Sequence, residues 1–188
     1  MQLFKDKNSK FLSYCFPIES EIDVKTHLSN IKSKHPQAGH FCYAYQLGTT
    51  KIMYRLNDDG EPKNSAGAPI YGQILSFGLT NIVVIVVRYF GGTKLGVGGL
   101  ISAYKTATQM ALQSAHLIEK SICISYIISY DYNNMDKIMR VIKKHNITIV
   151  SQKMELSCET IVSVPKKNAE NTIDIFENLF NVTIKRLT

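Results

Sequence analysis

Two stretches of this sequence concentrate side chains that could do chemistry. The first is Asn57-Asp58-Asp59-Gly60-Glu61-Pro62-Lys63-Asn64-Ser65-Ala66-Gly67-Ala68-Pro69. Its carboxylates, Asp58, Asp59 and Glu61, are of the type that holds Mg²⁺ or serves as acid and base. The same residues also suit a turn, because Asp-Asp-Gly is turn chemistry and Pro62 and Pro69 stiffen the chain. Ser65, ahead of Ala66-Gly67, is the best nucleophile candidate, but no G-x-S-x-G surrounds it. The second stretch runs from Arg88 through Tyr89, Phe90, Gly91, Gly92, Thr93, Lys94, Leu95, Gly96, Val97 and Gly98 to Gly99, with five glycines in its last nine positions. It leaves an apolar run and enters a helical pattern, a context in which bare backbone N–H groups can face an anion. Arg88 and Lys94 would add charge, and the rings of Tyr89 and Phe90 could stack on unpaired bases. The stretch matches neither a P-loop nor G-x-G-x-x-G. Glycines also serve positive φ and close helix–sheet packing, so both readings stand. A third is that ion pairs, Glu61 to Arg88 or Lys94, simply cross-link the two loops.

Histidine and cysteine chemistry is thin. His40 and Cys42 stand at i, i+2, which puts them on one face of a strand, yet no orienting Asp or Asn is apparent. His27, His35, His116 and His145 read as helix residues. Cys15, Cys42, Cys123 and Cys158 form no C-x-x-C and lie off ligand spacing from the histidines. They read as reduced, mostly buried thiols of a cytoplasmic protein. No acid–base–nucleophile set is assembled, so the expectation leans away from an enzyme, with no cofactor and no metal.

These loops must be positioned by regular elements. A strand is expected at Lys10–Phe16, then a helix from Ser20 to about Lys34 with Ser20 as N-cap and Asp23 completing a short capping box. Phe41–Leu47 and Lys51–Leu56 read as a hairpin around Gly48. A short helix is expected at Ile70–Phe77 and a strand buried on both faces at Ile82–Val87. A helix then follows from about Gly99 to Leu117. Tyr43, Tyr45, Tyr54 and Tyr71 are either core or a base-stacking surface. Further on, Ile122–Tyr130 is a strand and Met135, Ile138, Met139, Ile142 and His145 mark an amphipathic helix. Ile147–Met154 and Cys158–Val164 are strands, Ala169–Phe180 is a helix and Val182–Leu187 a last strand. The order β-α-β-β-α-β in the last part is the split β-α-β, ferredoxin-like pattern. The fold class is therefore α+β, in two domains, 1–118 and 119–188.

The 188 residues are 45% apolar and 20% charged, an ordinary globular composition that excludes disorder and a disulfide mini-scaffold. The longest apolar run, Ile82–Val87, is far short of the ~20 residues of a membrane helix, and no signal-peptide stretch opens the chain. The net charge is +7, and most of the excess falls in residues 1–118. It leans toward polyanionic partners or simply toward solubility. No pattern sets an oligomeric state.

At the two loops the sequence resembles the YigZ/IMPACT family. The family's Asp-Gly-Glu-Pro, then Ser/Thr-Ala-Gly and Pro, is matched at Asp59–Pro62, Ser65–Gly67 and Pro69. Its Val-Val-x-Arg-Tyr-Phe/Tyr-Gly-Gly-x-x-Leu-Gly-x-Gly-Gly-Leu is matched from Val86 through Leu100, apart from small changes. His35-Pro36-x-Ala38 and His40-x-Cys42-x-Ala44 match an earlier segment. The resemblance implies a first domain similar to the second domain of a small-subunit ribosomal protein. It implies a last domain similar to the final domain of the translocation elongation factor. In eukaryotic relatives the first domain belongs to a translational regulator that binds a ribosome-associated activator and restrains a kinase. For bacterial relatives nucleic-acid binding is the working idea. The implied role is thus a non-enzymatic RNA- or ribosome-associated protein, or alternatively a module for a regulatory protein partner, with a small hydrolase or nucleotide-using enzyme as a third reading. Gly39, Asn64 and Ser102 depart from the family's frequent His, Gly and Lys/Arg. Ser102 weakens a phosphate site, because a hydroxyl replaces a cation in the first turn of a helix.

Overall fold

The computed structural model describes residues 1–155 and 157–187. The chain forms two compact units, Met1–Leu117 and Ile118–Thr188. Among the described residues they make an α+β architecture of two sheets and five α-helices.

The first unit runs β1 (Gln2–Asp6), β2 (Ser9–Pro17), α1 (Glu21–Lys34), β3 (His40–Leu47), β4 (Met53–Asn57), α2 (Gly67–Ser76), β5 (Ile82–Tyr89) and α3 (Gly96–Gln113). Its antiparallel sheet has the order β1-β2-β5-β3-β4. β5 is central, and from Ile82 to Arg88 it is buried on both faces, which is why that run lacks alternation. The period of two splits it: Val83, Ile85 and Val87 pack with α1, whereas Ile82, Val84 and Val86 pack with α2 and α3. Arg88 continues the second set. It is a cation at a position the pattern assigns to core.

Several boundaries differ from the sequence expectation, each for a physical reason. β1 was not expected. It forms a hairpin with β2 through Lys7 and Asn8, both at positive φ (42° and 65°), the two-residue turn whose twist suits flanking strands. α2 starts at Gly67, ahead of Ile70, because Pro69 sits in its first turn, where a missing N–H breaks no helical bond. α3 starts at Gly96 and ends at Gln113, with Ser114 as C-cap. Its glycines read as loop because glycine is a poor helix former. The α1 capping box forms as expected: Ser20 Oγ accepts from the Asp23 N–H, and Asp23 Oδ2 accepts from the Ser20 N–H at 2.9 Å.

The second unit runs β6 (Cys123–Asp131), α4 (Met135–Lys144), β7 (Thr148–Lys153), β8 (Ser157–Pro165), α5 (Ala169–Glu177) and β9 (Val182–Arg186), with a 3-10 turn ahead of each helix. The antiparallel sheet order is β7-β8-β6-β9. Tyr126, Ile128 and Tyr130 alternate onto the core with Ile138, Ile142, Val162, Val164, Phe176 and Val182. The Tyr130 and Thr160 hydroxyls pair at 2.9 Å inside it, as buried hydroxyls must.

Candidate functional site

The carboxylate loop is built as a scaffold. Asp58 Oδ1 accepts from the N–H groups of Ala66 and Gly67 at 3.0 and 2.8 Å, and Oδ2 from Asn64 at 2.9 Å. It thereby satisfies the orphan donors at the start of α2 and sets a negative charge at that helix's positive end. Asp59 stands at φ 42° and Gly60 at φ 87°. Asp59 Oδ2 accepts from the Phe41 N–H at 2.6 Å, while its carbonyl meets His40 Nδ1 at 2.9 Å. Asn64 stands at φ 62°, a conformation Asn tolerates. Ser65 is fully buried and its hydroxyl donates to the Pro62 carbonyl at 2.6 Å. Gly67 is required by close approach, since a Cβ there would lie 2.9 Å from the Asn57 nitrogen.

The turn aims Glu61 inward. Arg88 Nη1 donates to Glu61 Oε1 at 2.6 Å, with side chains 6% and 4% exposed. The Tyr104 hydroxyl donates to the same oxygen at 2.8 Å, and Cys42 Sγ, with one proton to donate, lies 3.0 Å from the Asp58 carbonyl and 3.2 Å from Tyr104 Oη. His40 Nε2 lies 4.0 Å from Glu61 Oε1, and the sheet register sets His40 directly opposite Arg88. The guanidinium is sandwiched 5.6 Å from the ring centroids of Phe11 and Phe90. Burial pushes the Cys42 thiol and the Tyr104 hydroxyl well above their ordinary values, and the Glu61 carboxylate adds to both effects. The Cys42 thiol is thereby held protonated, and the Ser65 hydroxyl is directed to the Pro62 carbonyl. Among the described residues no three His, Cys, Asp or Glu side chains converge to hold a metal ion.

The loops are thus cross-linked through Glu61 and Arg88, and Lys94 is not part of the pair. Arg88 is 5% exposed and faces the carboxylate. Tyr89 points to the opposite face of the sheet, where its hydroxyl meets His35 Nδ1 at 2.8 Å; the Tyr14 hydroxyl takes Nε2 at 2.7 Å. Tyr43 and Tyr45 are buried in the α1 core, Tyr71 is half-buried, and Tyr54 is exposed and stacks on Tyr71 at 4.8 Å. Phe90, Gly92, Lys94, Gly96 and Gly98 are exposed. Gly91 is pinned, because its N–H donates to Ser9 Oγ at 3.2 Å and a Cβ would fall 2.1 Å from the Asn8 carbonyl carbon. Gly92 and Gly96 serve positive φ (86° and 73°), and Gly99 packs on Leu95. Gly98 does neither: a Cβ there would meet nothing within 4 Å. Residues the sequence reading missed are Tyr104, Ser9 and Phe11. Tyr104 had a signal, since it is the lone hydroxyl-bearing ring in the stripe Leu100, Ala103, Ala107 and Ala111, and a buried Tyr needs a partner.

Among the described residues no helix is long and apolar enough to cross a membrane. The free cysteines divide into buried Cys42 and Cys158, half-buried Cys15 and exposed Cys123.

Comparison with known proteins agrees with this architecture. A solved structure described as that of a hypothetical protein superposes over 100% of this chain and 93% of its own, with a TM-score of 0.70 at 22% identity. An IMPACT family member of Haemophilus influenzae is 32% identical over 87% of this chain and 81% of its own. The IMPACT family member YigZ of Escherichia coli is 31% identical over 69% of this chain and 64% of its own. The model of the Impact N-terminal domain matches residues 7–112, which include both loops and the Glu61–Arg88 pair. On these grounds the chain belongs to the IMPACT family.

Proposed function

We propose that this protein is a non-enzymatic, translation-associated protein that binds RNA or the ribosome through the exposed loop from Phe90 to Gly99. The observation that carries the reading is Gly98. Glycine in the first turns of a helix costs roughly 1 kcal/mol against alanine, and here neither φ nor packing calls for it. What its missing Cβ leaves is bare backbone at the start of α3, a helix with no side-chain cap and no acidic residue in its first turn. That is the arrangement suited to an approaching phosphate. Lys94 supplies an exposed cation beside it, and Phe90, 55% exposed, offers a ring for stacking. Arg88 acts one layer below, holding the base of the loop through Glu61 instead of touching the ligand. We take residues 1–118 as the family's N-terminal domain, similar to a ribosomal-protein domain. We take 119–188 as ferredoxin-like, a reading supported by the order β7-β8-β6-β9.

Cosedimentation with ribosomes and total RNA across a salt series tests this. Lys94→Glu and Phe90→Ala should each weaken binding, and binding should fall steeply between about 50 and 200 mM salt, as counterion release requires. Salt-independent binding, or full binding by both variants, would sink the proposal. A protein partner at the same place is the second reading. It is favoured by the exposed apolar strip of Phe90, Val97 and Ile101, of which the last two share a helix face. Binding that survives nuclease treatment but not Val97→Asp would establish it instead.

A further inference from the structure

The second unit carries a small net charge, yet the fold gathers six of its cations at one end. β8 is level with β6 so that Pro165 pairs with Cys123, and with β7 so that Ser163 pairs with Thr148. On the other edge, Arg186 pairs with Tyr126 and the Leu187 N–H donates to the Ser125 carbonyl at 2.9 Å. The end of α4, the turn after β8 and the end of β9 therefore share one end of the sheet. The Lys166 N–H, which donates to the Ile122 carbonyl at 2.7 Å, ties that turn to the start of β6. Gathered there are Lys143, Lys144, Lys166, Lys167, Lys185 and Arg186, all exposed. The carboxylates near them are Glu170 in the first turn of α5, Glu177, which lines a cleft with Lys166 and Arg186, and Glu119, four residues ahead of β6. Toward the opposite end stand Asp131, Asp136, Glu155, Glu159 and Asp174, with Lys137 and Lys153. Among the described residues the ion pair of this unit is Lys153–Glu155, at the acidic end, so none of the six cations is within 4 Å of a carboxylate.

A cleft of about 400 Å³ opens in this unit. Ile124, Tyr126, Ile173 and Ile184 give it an apolar floor, and its charged lining is mixed, Lys166 and Arg186 with Glu170 and Glu177. Arg186 is itself anomalous. It follows Val182 and Ile184 on the helix-facing side of β9, where period two would place a core residue.

We propose that this basic end of the second unit is a second polyanion-binding surface, and that its ligand is single-stranded RNA. The six cations would follow the phosphates across three strand spacings, about 14 Å. The isoleucine floor of the cleft beside Lys166 and Arg186 would receive an unpaired base by apolar contact. The choice of RNA over an acidic protein rests on the function proposed above. The surface itself rests on the six gathered cations.

The test is fluorescence anisotropy of a labelled 16-nucleotide oligouridylate with the full chain, in a salt series. The fourfold variant Lys143→Gln, Lys144→Gln, Lys166→Gln, Lys167→Gln should bind about tenfold more weakly. Its slope of log affinity on log salt should be shallower by about 3, near 0.7 per lost contact. A control removing the same charge from the first unit, at Lys25, Lys51, Lys63 and Lys105, should stay within about twofold of wild type, and equal thermal midpoints exclude misfolding. If the control loses as much as the fourfold variant, net charge and not this surface is responsible, and the proposal falls. If the fourfold variant binds like wild type while Lys94→Glu is impaired, the loop reading stands and this one is overturned. The reverse pattern supports this surface and removes the loop. Wild-type binding to polyglutamate but not to RNA, lost in the fourfold variant, would assign the surface to an acidic protein and overturn the proposal as stated. Binding to neither would overturn it outright.

Discussion

Arg88 and Glu61 lie 27 residues apart in the chain and 2.6 Å apart in the fold, both nearly excluded from water. Two buried charges of this kind are not chiefly a source of stability, because desolvation offsets much of their attraction. Their effect is to fix two loops against one another, so that the carboxylate turn and the glycine-rich segment form one surface.

Removing one partner should be far worse than removing both. Glu61→Gln leaves the guanidinium buried without its counter-charge and should destabilise the protein by about 3–5 kcal/mol. The double variant Glu61→Gln/Arg88→Met should recover most of that loss. Denaturant unfolding of the two single variants and the double variant, as a cycle, measures the coupling. Additive losses would show that the pair does not act as a unit.

Two alanine substitutions in the glycine-rich segment should move stability in opposite directions. Gly91→Ala drives a Cβ into the β1–β2 turn and should cost about 1–3 kcal/mol. Gly98→Ala meets open space in a helix and should add about 0.5–1 kcal/mol. If the bare backbone is used for binding, Gly98→Ala gains stability and loses affinity for ribosomes or RNA. Thermal unfolding and cosedimentation on the same sample decide it.

Thiol reactivity should follow burial. Exposed Cys123 should react first with a thiol reagent in native protein at pH 8. Cys42, whose thiol burial pushes up and whose Sγ lies within hydrogen-bond distance of the Asp58 carbonyl and Tyr104 Oη, should react only on unfolding. Peptide mass mapping after timed labelling gives the order, and early labelling of Cys42 would contradict the packing described.

Asp23 gives a pH signature. Backbone N–H groups of Glu19 and Ser20 donate to its carboxylate and hold it below the usual carboxylate range. A lowered folded pKa stabilises above the unfolded value, near 3.9, and that contribution is lost as pH falls through the folded pKa. Wild type should therefore exceed Asp23→Ala in stability at pH 7, and the difference should shrink below about pH 4. Unfolding midpoints at pH 7, 5 and 3 check the trend.

The elements were largely legible because their signals are local. Ser20 and Asp23 announce the α1 cap, the period of three and four marks α4, and an unbroken β-branched run marks β5. The order β-α-β-β-α-β follows from such signals alone. β1 was missed because five residues of partial alternation carry little information until β2 pairs with them. The start of α2 was misplaced because a proline reads as a loop residue until its place in the first turn is known.

The residue types of the candidate site were also visible, as were the alternatives for them. The sequence alone determined which loops hold carboxylates, glycines and cations, and which runs must be strands or helices. Only tertiary structure decided that Arg88 turns inward to Glu61 while Lys94 and Phe90 remain at the surface, since the face a β5 residue takes depends on register and on what packs above it. It alone brought Tyr104 from α3 onto the same carboxylate oxygen and gathered six cations of the second unit at one end of its sheet. Periodicity is a property of neighbours along the chain; charge pairing and burial are properties of neighbours in space, and strand pairing creates those.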